Sequence, residues 1–344
     1  MSHPFSDVTV PLLSWYTENA RSMPWRDDPT PYHVWISEIM LQQTRVSAVI
    51  PYYLRFIEML PDIPSLASCD EEKLMKLWEG LGYYSRARNL KKAATVICEK
   101  YGGVFPSDYA SIRALPGIGD YTAGAILSIA FGKPEPAVDG NVLRVFSRIN
   151  GDFSDIMQKQ TRDACRDVLR DCMPEGRTSE YTQALMELGA TVCLPNGEPL
   201  CESCPARNFC LALRDGLISD LPVKTPSRPR KIEERTVYFI LHGNCVALRR
   251  RPEGGLLSGL WEFPNGLRCD EPKDLPCEGD TFGDAKHIFS HIEWRMTSRV
   301  CRVKSSDLPA GFVWVNVAQL KKEYAVPAAF RSFLPRLLEA LAEA

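Results

Sequence analysis

At 344 residues the chain exceeds the roughly 250 to 300 residues at which single hydrophobic cores stop growing, so two domains are expected. With 45% hydrophobic and 24% charged residues it has the composition of a soluble globular protein, and no uncharged apolar run approaches the roughly 18 to 20 residues of a membrane span. Residues 1–10 lack a basic-then-apolar signal pattern, which predicts a cytosolic protein, and a formal net charge of −2 means that any nucleic-acid contact must be local.

Up to about residue 215, apolar residues recur at helical spacing, with Pro and Gly mainly between segments. The spacing predicts ten short helices, over residues 9–20, 31–43, 46–59, 71–81, 84–101, 108–114, 121–131, 141–149, 159–172 and 179–190. Residues 221–235 (LPVKTPSRPRKIEER) carry three prolines and mixed charges without apolar periodicity, and read as an extended linker. Beyond it come β-type runs at 236–241, 245–248, 287–296, 299–303 and 312–315, with a His242-Gly243-Asn244 turn and a closing helix over 328–341. The predicted organisation is a helical domain over 1–220, a linker over 221–235 and a small mixed domain over 236–344.

Of twelve cysteines, four crowd together: Cys193, Cys201, Cys204 and Cys210, separated by seven, two and five residues. Such a set holds either one tetrahedral zinc or one polynuclear cluster. The surrounding segment is too polar and turn-rich for unliganded core thiols. Arg207 and Arg214 lie beside it, where they could face a phosphate backbone.

Leu115-Pro116-Gly117-Ile118-Gly119-Asp120-Tyr121 puts Gly117 and Gly119 in a turn between helices, either an ordinary interhelical turn or a helix-hairpin-helix that grips DNA without reading sequence. Asp139, in Val138-Asp139-Gly140-Asn141-Val142, is either the N-cap of the next helix or a carboxylate aimed into a cleft. Glu38 is flanked by Ile36, Ile39, Met40 and Leu41, which predicts a partly buried carboxyl with a raised pKa rather than a solvated surface charge. Leu41, Gln42 and Arg45 are expected to share its helical face.

LPGIGDYTAGAI, then VDGNVLRVFSR, then a terminal four-cysteine cluster resembles the helix-hairpin-helix DNA glycosylases of the endonuclease III superfamily, which implies a [4Fe-4S] cluster held by the four cysteines. The seven-residue gap after Cys193 departs from the usual six, with the extra residue expected to bulge at Pro195-Asn196-Gly197. Members that cut the strand carry a lysine nucleophile just after the hairpin; Tyr121 stands there, which argues for a monofunctional enzyme acting through water. Met23-Pro24-Trp25-Arg26, the run Val34 to Val46 and Gly80-Leu81-Gly82-Tyr83-Tyr84-Ser85-Arg86 are similar to MutY-type adenine DNA glycosylases over nearly the whole chain.

This resemblance implies that Glu38 protonates adenine, that Asp139 stabilises the oxocarbenium-like sugar and assists water, and that Tyr121 and Asn141 position Asp139. It assigns Arg26 and Gln183 to the extruded adenine, and Gln42, Gln43, Tyr83, Arg86, Gly117 and Gly119 to DNA, with Gln43 and Tyr83 wedging the opened stack. Without the resemblance, Gln183 reads as helix surface and Tyr83 as core.

Leu256 to Gly266 resembles the strand and turn of Nudix hydrolases, but Leu267, Arg268, Cys269 and Asp270 follow in place of the acidic magnesium-binding helix, so no nucleotide hydrolysis is expected. The family resemblance makes this domain the reader of 8-oxoguanine opposite adenine, through Phe289, Ser290 and His291; pattern alone makes Phe289 a core residue. The expected protein is multidomain: an all-α helix-hairpin-helix glycosylase domain with an iron-sulfur cluster, plus a small α+β Nudix-like C-terminal domain. Its expected partner is double-stranded DNA containing adenine opposite 8-oxoguanine. It is expected to be a monomer without membrane association, in a bacterial cytoplasm and on the nucleoid.

Overall fold

A computed structural model describes residues 4–226, 229–268, 277 and 280–343. In chain order the helices are α1 (Thr9–Asn19), α2 (Pro24–Asp27), α3 (Pro31–Leu41), α4 (Val46–Met59), α5 (Ile63–Ser68), α6 (Glu71–Leu77), α7 (Ser85–Tyr101) and α8 (Tyr109–Arg113). They continue with α9 (Asp120–Ala125), α10 (Gly140–Asn150), α11 (Lys159–Cys172), α12 (Thr178–Thr191), α13 (Leu211–Arg214), α14 (Val317–Lys322) and α15 (Leu334–Ala342). The strands are β1 (Lys231–His242), β2 (Cys245–Arg250), β3 (Trp261–Glu262), β4 (Asn265–Leu267), β5 (Asp284–Ile288), β6 (Ile292–Arg302) and β7 (Phe312–Asn316). Two compact units result: Met1–Ser68 with Asn89–Pro226, and Cys69–Arg88 with Ser227–Ala344.

Local chemistry sets the helix ends in the first unit. The Thr30 hydroxyl accepts from the His33 N–H and Pro31 opens the first turn, which starts α3. Gln43, with φ +58, lies beyond its end. The predicted helix through residue 43 therefore stops at Leu41, and Gln42 and Arg45 leave the face that carries Glu38. Past α9 the chain runs into a π-turn over Ile126–Ala130, where a continuous helix to 131 is expected from the pattern. Leu12, Tyr16, Val142, Phe146, Tyr181, Leu185 and Leu188 close a core among α1, α10 and α12. Burying side chains of this size stabilises by about 1.5–3 kcal/mol each before entropy is counted.

The second unit is a seven-stranded sheet in the order β3-β2-β1-β6-β5, with β4 added to β1 and β7 to β2. Val237, Phe239 and Leu241 alternate along β1 into a core with Phe263, Trp294, Phe330, Phe333 and Leu337. β1 begins at Lys231, inside the segment expected to be linker, because it pairs in parallel with β6 from Lys231↔Ile292 onward. Its early residues are charged, yet Glu233 accepts from the Trp294 indole (3.1 Å) and pairs with Arg235 (3.0 Å). Backbone pairing and lateral polar contacts replace the apolar periodicity that marks other strands. The strand expected over 287–296 is broken at residues 289–291, which connect β5 to β6, and β6 absorbs the run expected at 299–303. The closing helix is 3-10 over Ala328–Phe333 and α-helical from Leu334. Cys269 and Asp270, named in the Nudix comparison above, lie outside the described residues.

Candidate active site

A cleft of about 540 Å3 in the first unit is lined by Arg21, Trp25, Arg26, Glu38, Gln42, Gln43, Tyr121, Asp139, Asn141, Gln183 and Glu187, among others. Eight of the residues singled out in the sequence, from five helices and their flanks, thus meet in one place. α3 brings Glu38, which is 5% exposed. α9 brings Tyr121, whose hydroxyl donates to Glu38 Oε2 at 2.5 Å. Asp139 caps α10 and faces the cleft at once: Oδ1 accepts from the Val142 N–H (2.8 Å) and Oδ2 from Asn141 Nδ2 (3.0 Å). Both readings of Asp139 therefore hold together. Asn141 lies on Asp139 as expected, whereas the Tyr121 hydroxyl lies on Glu38 instead.

Burial pushes the Glu38 carboxyl from near 4.5 up to about 7; the Tyr121 hydrogen bond works against this, and the Asp139 charge adds to it. Burial also raises Asp139, opposed by its bonds from Val142 and Asn141. Two carboxyls in one site share less negative charge than two solvated ones. Burial raises the Tyr121 phenol as well, so its hydroxyl stays protonated and available as a donor.

Arg26 and Glu187 make a second polar group on the cleft wall. Glu187 is 1% exposed and accepts from Arg26 Nη2 (2.8 Å), Arg21 Nε (2.5 Å) and Arg21 Nη2 (3.1 Å). Gln183 stands one turn earlier on α12 and donates to Ser179 Oγ at 3.1 Å. Arg21 and Glu187 were not legible as site residues. Glu187 sits in a helix whose charged positions otherwise look solvated, and no local motif marks Arg21 or pairs Arg26 with Glu187.

Gly117 has φ +78, and a Cβ there would lie 2.6 Å from Asn89 Cβ. Gly119, by contrast, has an ordinary φ of −93 and open space where a side chain would go. In the second unit Tyr83 has φ +47, is 44% exposed and shares a hydrogen bond with Ser290 Oγ at 3.0 Å. Phe289, Ser290, His291 and Tyr83 line one cavity of about 470 Å3. Phe289 is half-buried, its ring packed on Trp294 at 4.9 Å, so it belongs partly to the core. Arg86 turns inward: its guanidinium donates to the Leu81 and Gly82 carbonyls and lies over the Trp78 and Tyr83 rings.

Cys193, Cys201, Cys204 and Cys210 line a single cavity with Val145, Ile149, Leu188, Val192 and Ala206. Arg148, 5% exposed, donates to Cys193 Sγ at 3.3 Å and to the Leu194 carbonyl at 2.9 Å, while Arg144 holds the Cys193 carbonyl at 2.9 Å. Gly197, with φ +74, bends the chain in the longer first gap. Among the described residues no group of three or more His, Cys, Asp or Glu side chains is drawn together tightly enough for one metal ion. Four thiols lining one cavity, with Arg148 and Arg207 beside them, are the soft donors that a thiolate-bound metal or cluster would require.

A family model described as HhH-GPD superfamily base excision DNA repair protein matches residues 36–171, and a NUDIX domain model matches residues 236–336. The adenine DNA glycosylase of Mus musculus is 35% identical over 90% of this chain and 74% of its own length. That of Buchnera aphidicola subsp. Baizongia pistaciae is 37% identical over 82% of each. The chain belongs to the adenine DNA glycosylase family. The solved structure of a thermostable thymine-DNA glycosylase superposes with a TM-score of 0.57 at 28% identity, over 62% of this chain and 97% of that one. The chain thus joins a helical base-excision domain to a Nudix-like α+β domain. As an N-glycosyl hydrolase that removes adenine, it must supply a proton to a poor leaving group and stabilise a sugar cation; three carboxyls line its cleft, the buried Glu38 and Glu187 and the half-buried Asp139. Among the described residues no helix is long and apolar enough to cross a membrane.

Proposed function

We propose that the enzyme excises adenine mispaired with 8-oxoguanine or guanine from double-stranded DNA and leaves the strand uncut. The observation that carries this reading is Glu38 in its acid form near neutrality, hydrogen-bonded to Tyr121 and beside Asp139 in one cleft. Adenine flips into the cleft, where Arg26 and Gln183 hold it. Glu38 gives its proton to N7, the C1′–N9 bond breaks with its electron pair going to the base, and the Asp139 carboxylate stabilises the cationic sugar. Water then adds at C1′ and passes its proton to Asp139. Asn141 holds Asp139 for this role, and Tyr121 orients the acid. Tyr121 offers no amine, which supports hydrolysis without a Schiff base.

Gly117 and Gly119 present the hairpin to the phosphate backbone, while Gln42, Gln43 and Tyr83 enter the stack opened by the flipped base. Phe289, Ser290 and His291 recognise 8-oxoguanine, a reading supported by the cavity they share with Tyr83. Arg86 serves by fixing the turn that presents Tyr83. Cys193, Cys201, Cys204 and Cys210 hold a [4Fe-4S] cluster, whose bonds to the four thiolates supply cross-linking of the segment after α12. The enzyme acts as a monomer in the bacterial cytoplasm, at the nucleoid, with residues 1–220 and 236–344 as its two functional parts. Single-turnover excision from duplexes carrying adenine opposite 8-oxoguanine, guanine or thymine tests the reading. Glu38→Gln is expected to abolish release of the base; normal excision by that variant, or a borohydride-trapped DNA adduct with the wild type, overturns it.

A further inference from the structure

Two guanidinium groups converge on one buried carboxylate in the cleft wall. Glu187 Oε1 accepts from the Arg21 backbone N–H (3.3 Å) and Nε (2.5 Å); Oε2 accepts from Arg21 Nη2 (3.1 Å) and Arg26 Nη2 (2.8 Å). Arg26 Nη1 in turn donates to the Arg21 carbonyl at 2.7 Å, and its guanidinium lies 5.6 Å from the Tyr16 ring centroid. Arg26 sits on α2, a four-residue helix with no side-chain cap, so its own element fixes it weakly. Glu187 sits mid-way along the fourteen-residue α12, packed on the core.

We propose that Glu187 is a positioning residue of the adenine site: it aims Arg26 across the cleft and balances the charge that Arg26 would otherwise hold beside the catalytic acid. The inference rests on the assignment of Glu38 and Arg26 made above. The groups that face Glu38 are Tyr121 from α9, Asp139 ahead of α10 and Arg26 from α2; those that face Glu187 are Arg21, Arg26 and the Tyr16 phenol. Burial would raise Glu187, yet its bonds from Arg21 and Arg26 hold it ionised, below the usual carboxylate value. With that anion removed, Arg26, the cation that acts on Glu38, loses its counter-charge, and an unbalanced guanidinium draws the proton off a neighbouring carboxyl.

Glu187→Gln keeps the volume and one accepting oxygen but removes the charge. On a duplex with adenine opposite 8-oxoguanine, single-turnover excision is expected to fall roughly a hundredfold at neutral pH, as for a misplaced binding group. The alkaline limb of the rate profile should move about one unit lower, the size of one nearby charge. In an Arg26→Gln background the same change should cost no more than about threefold, because the two act as one unit. Wild-type rate and pH profile in Glu187→Gln, with Glu38→Gln inactive, overturns the proposal; so does an equal loss in both backgrounds with an unmoved limb. Active Glu38→Gln would instead remove the reading beneath it. Should Glu187→Gln fail to fold by circular dichroism, Glu187→Asp decides. It keeps the charge on a shorter arm, so a slower rate with the limb in place is expected, and a lowered limb counts against the proposal.

Discussion

The acid role proposed for Glu38 depends on a raised carboxyl pKa, and the same shift makes the stability of the fold depend on pH. The folded-state carboxyl of Glu38 titrates at about 7, above its ordinary value near 4.5, so the native state binds the proton more tightly than the unfolded chain. Its contribution to stability is fully present below the unfolded value and lost as pH rises toward 7, by up to about 3 kcal/mol. Glu38→Gln, inactive, should therefore melt higher than the wild type at pH 8 and about equally at pH 4, which a thermal scan at both pH values checks. Tyr121→Phe removes a donor to the ionised form, so Glu38 should titrate higher still, and the alkaline limb of excision should move up, opposite to Glu187→Gln. The burial of Glu38 was legible because four apolar neighbours flank it. The partner of Tyr121 was not, since residues 83 apart in sequence meet only through the packing of α3 and α9.

At the scale of elements, the hairpin between α8 and α9 separates two glycines that look alike in sequence. Gly117 needs a left-handed backbone and faces Asn89 with no room for a Cβ, so Gly117→Ala should cost at least about 1–2 kcal/mol and lower the melting temperature by several degrees. Gly119→Ala meets neither obstacle; it should melt close to the wild type yet bind duplex DNA more weakly, if open space there admits a phosphate. In the β5–β6 connection, Ser290→Ala should reduce the preference for 8-oxoguanine over guanine opposite adenine by about three- to tenfold, the worth of one hydrogen bond, with excision from the guanine mispair kept. Strand-like alternation through residues 287–296 hid that connection. Phe289 packs on Trp294 as an inward strand residue would, and a three-residue reversal leaves little trace in an apolar pattern. The start of β1 was hidden for the opposite reason: charged residues can extend a strand when a long parallel neighbour supplies the hydrogen bonds.

For the whole molecule, the composition change near residue 221 marks two folds, and the cysteine crowding marks one thiol-lined cavity. Purified enzyme should carry iron and acid-labile sulfide in near-equal amounts with broad visible absorption; stoichiometric zinc without iron would sink the cluster assignment. The linear boundary also missed that residues 69–88 pack with the C-terminal unit. Lys76 donates to the Leu320 carbonyl at 3.1 Å and the Tyr324 carbonyl at 3.0 Å, and Glu79 accepts from the Val326 N–H at 2.8 Å. These contacts join positions 244 to 248 residues apart. At ribosomal speed that interval lasts roughly 12–50 s. During translation α6 is therefore made early and waits, without its native partners, until the end of the message is read. Nascent chains halted before residue 320 should be cut by protease within residues 69–88, a nick that the finished enzyme resists.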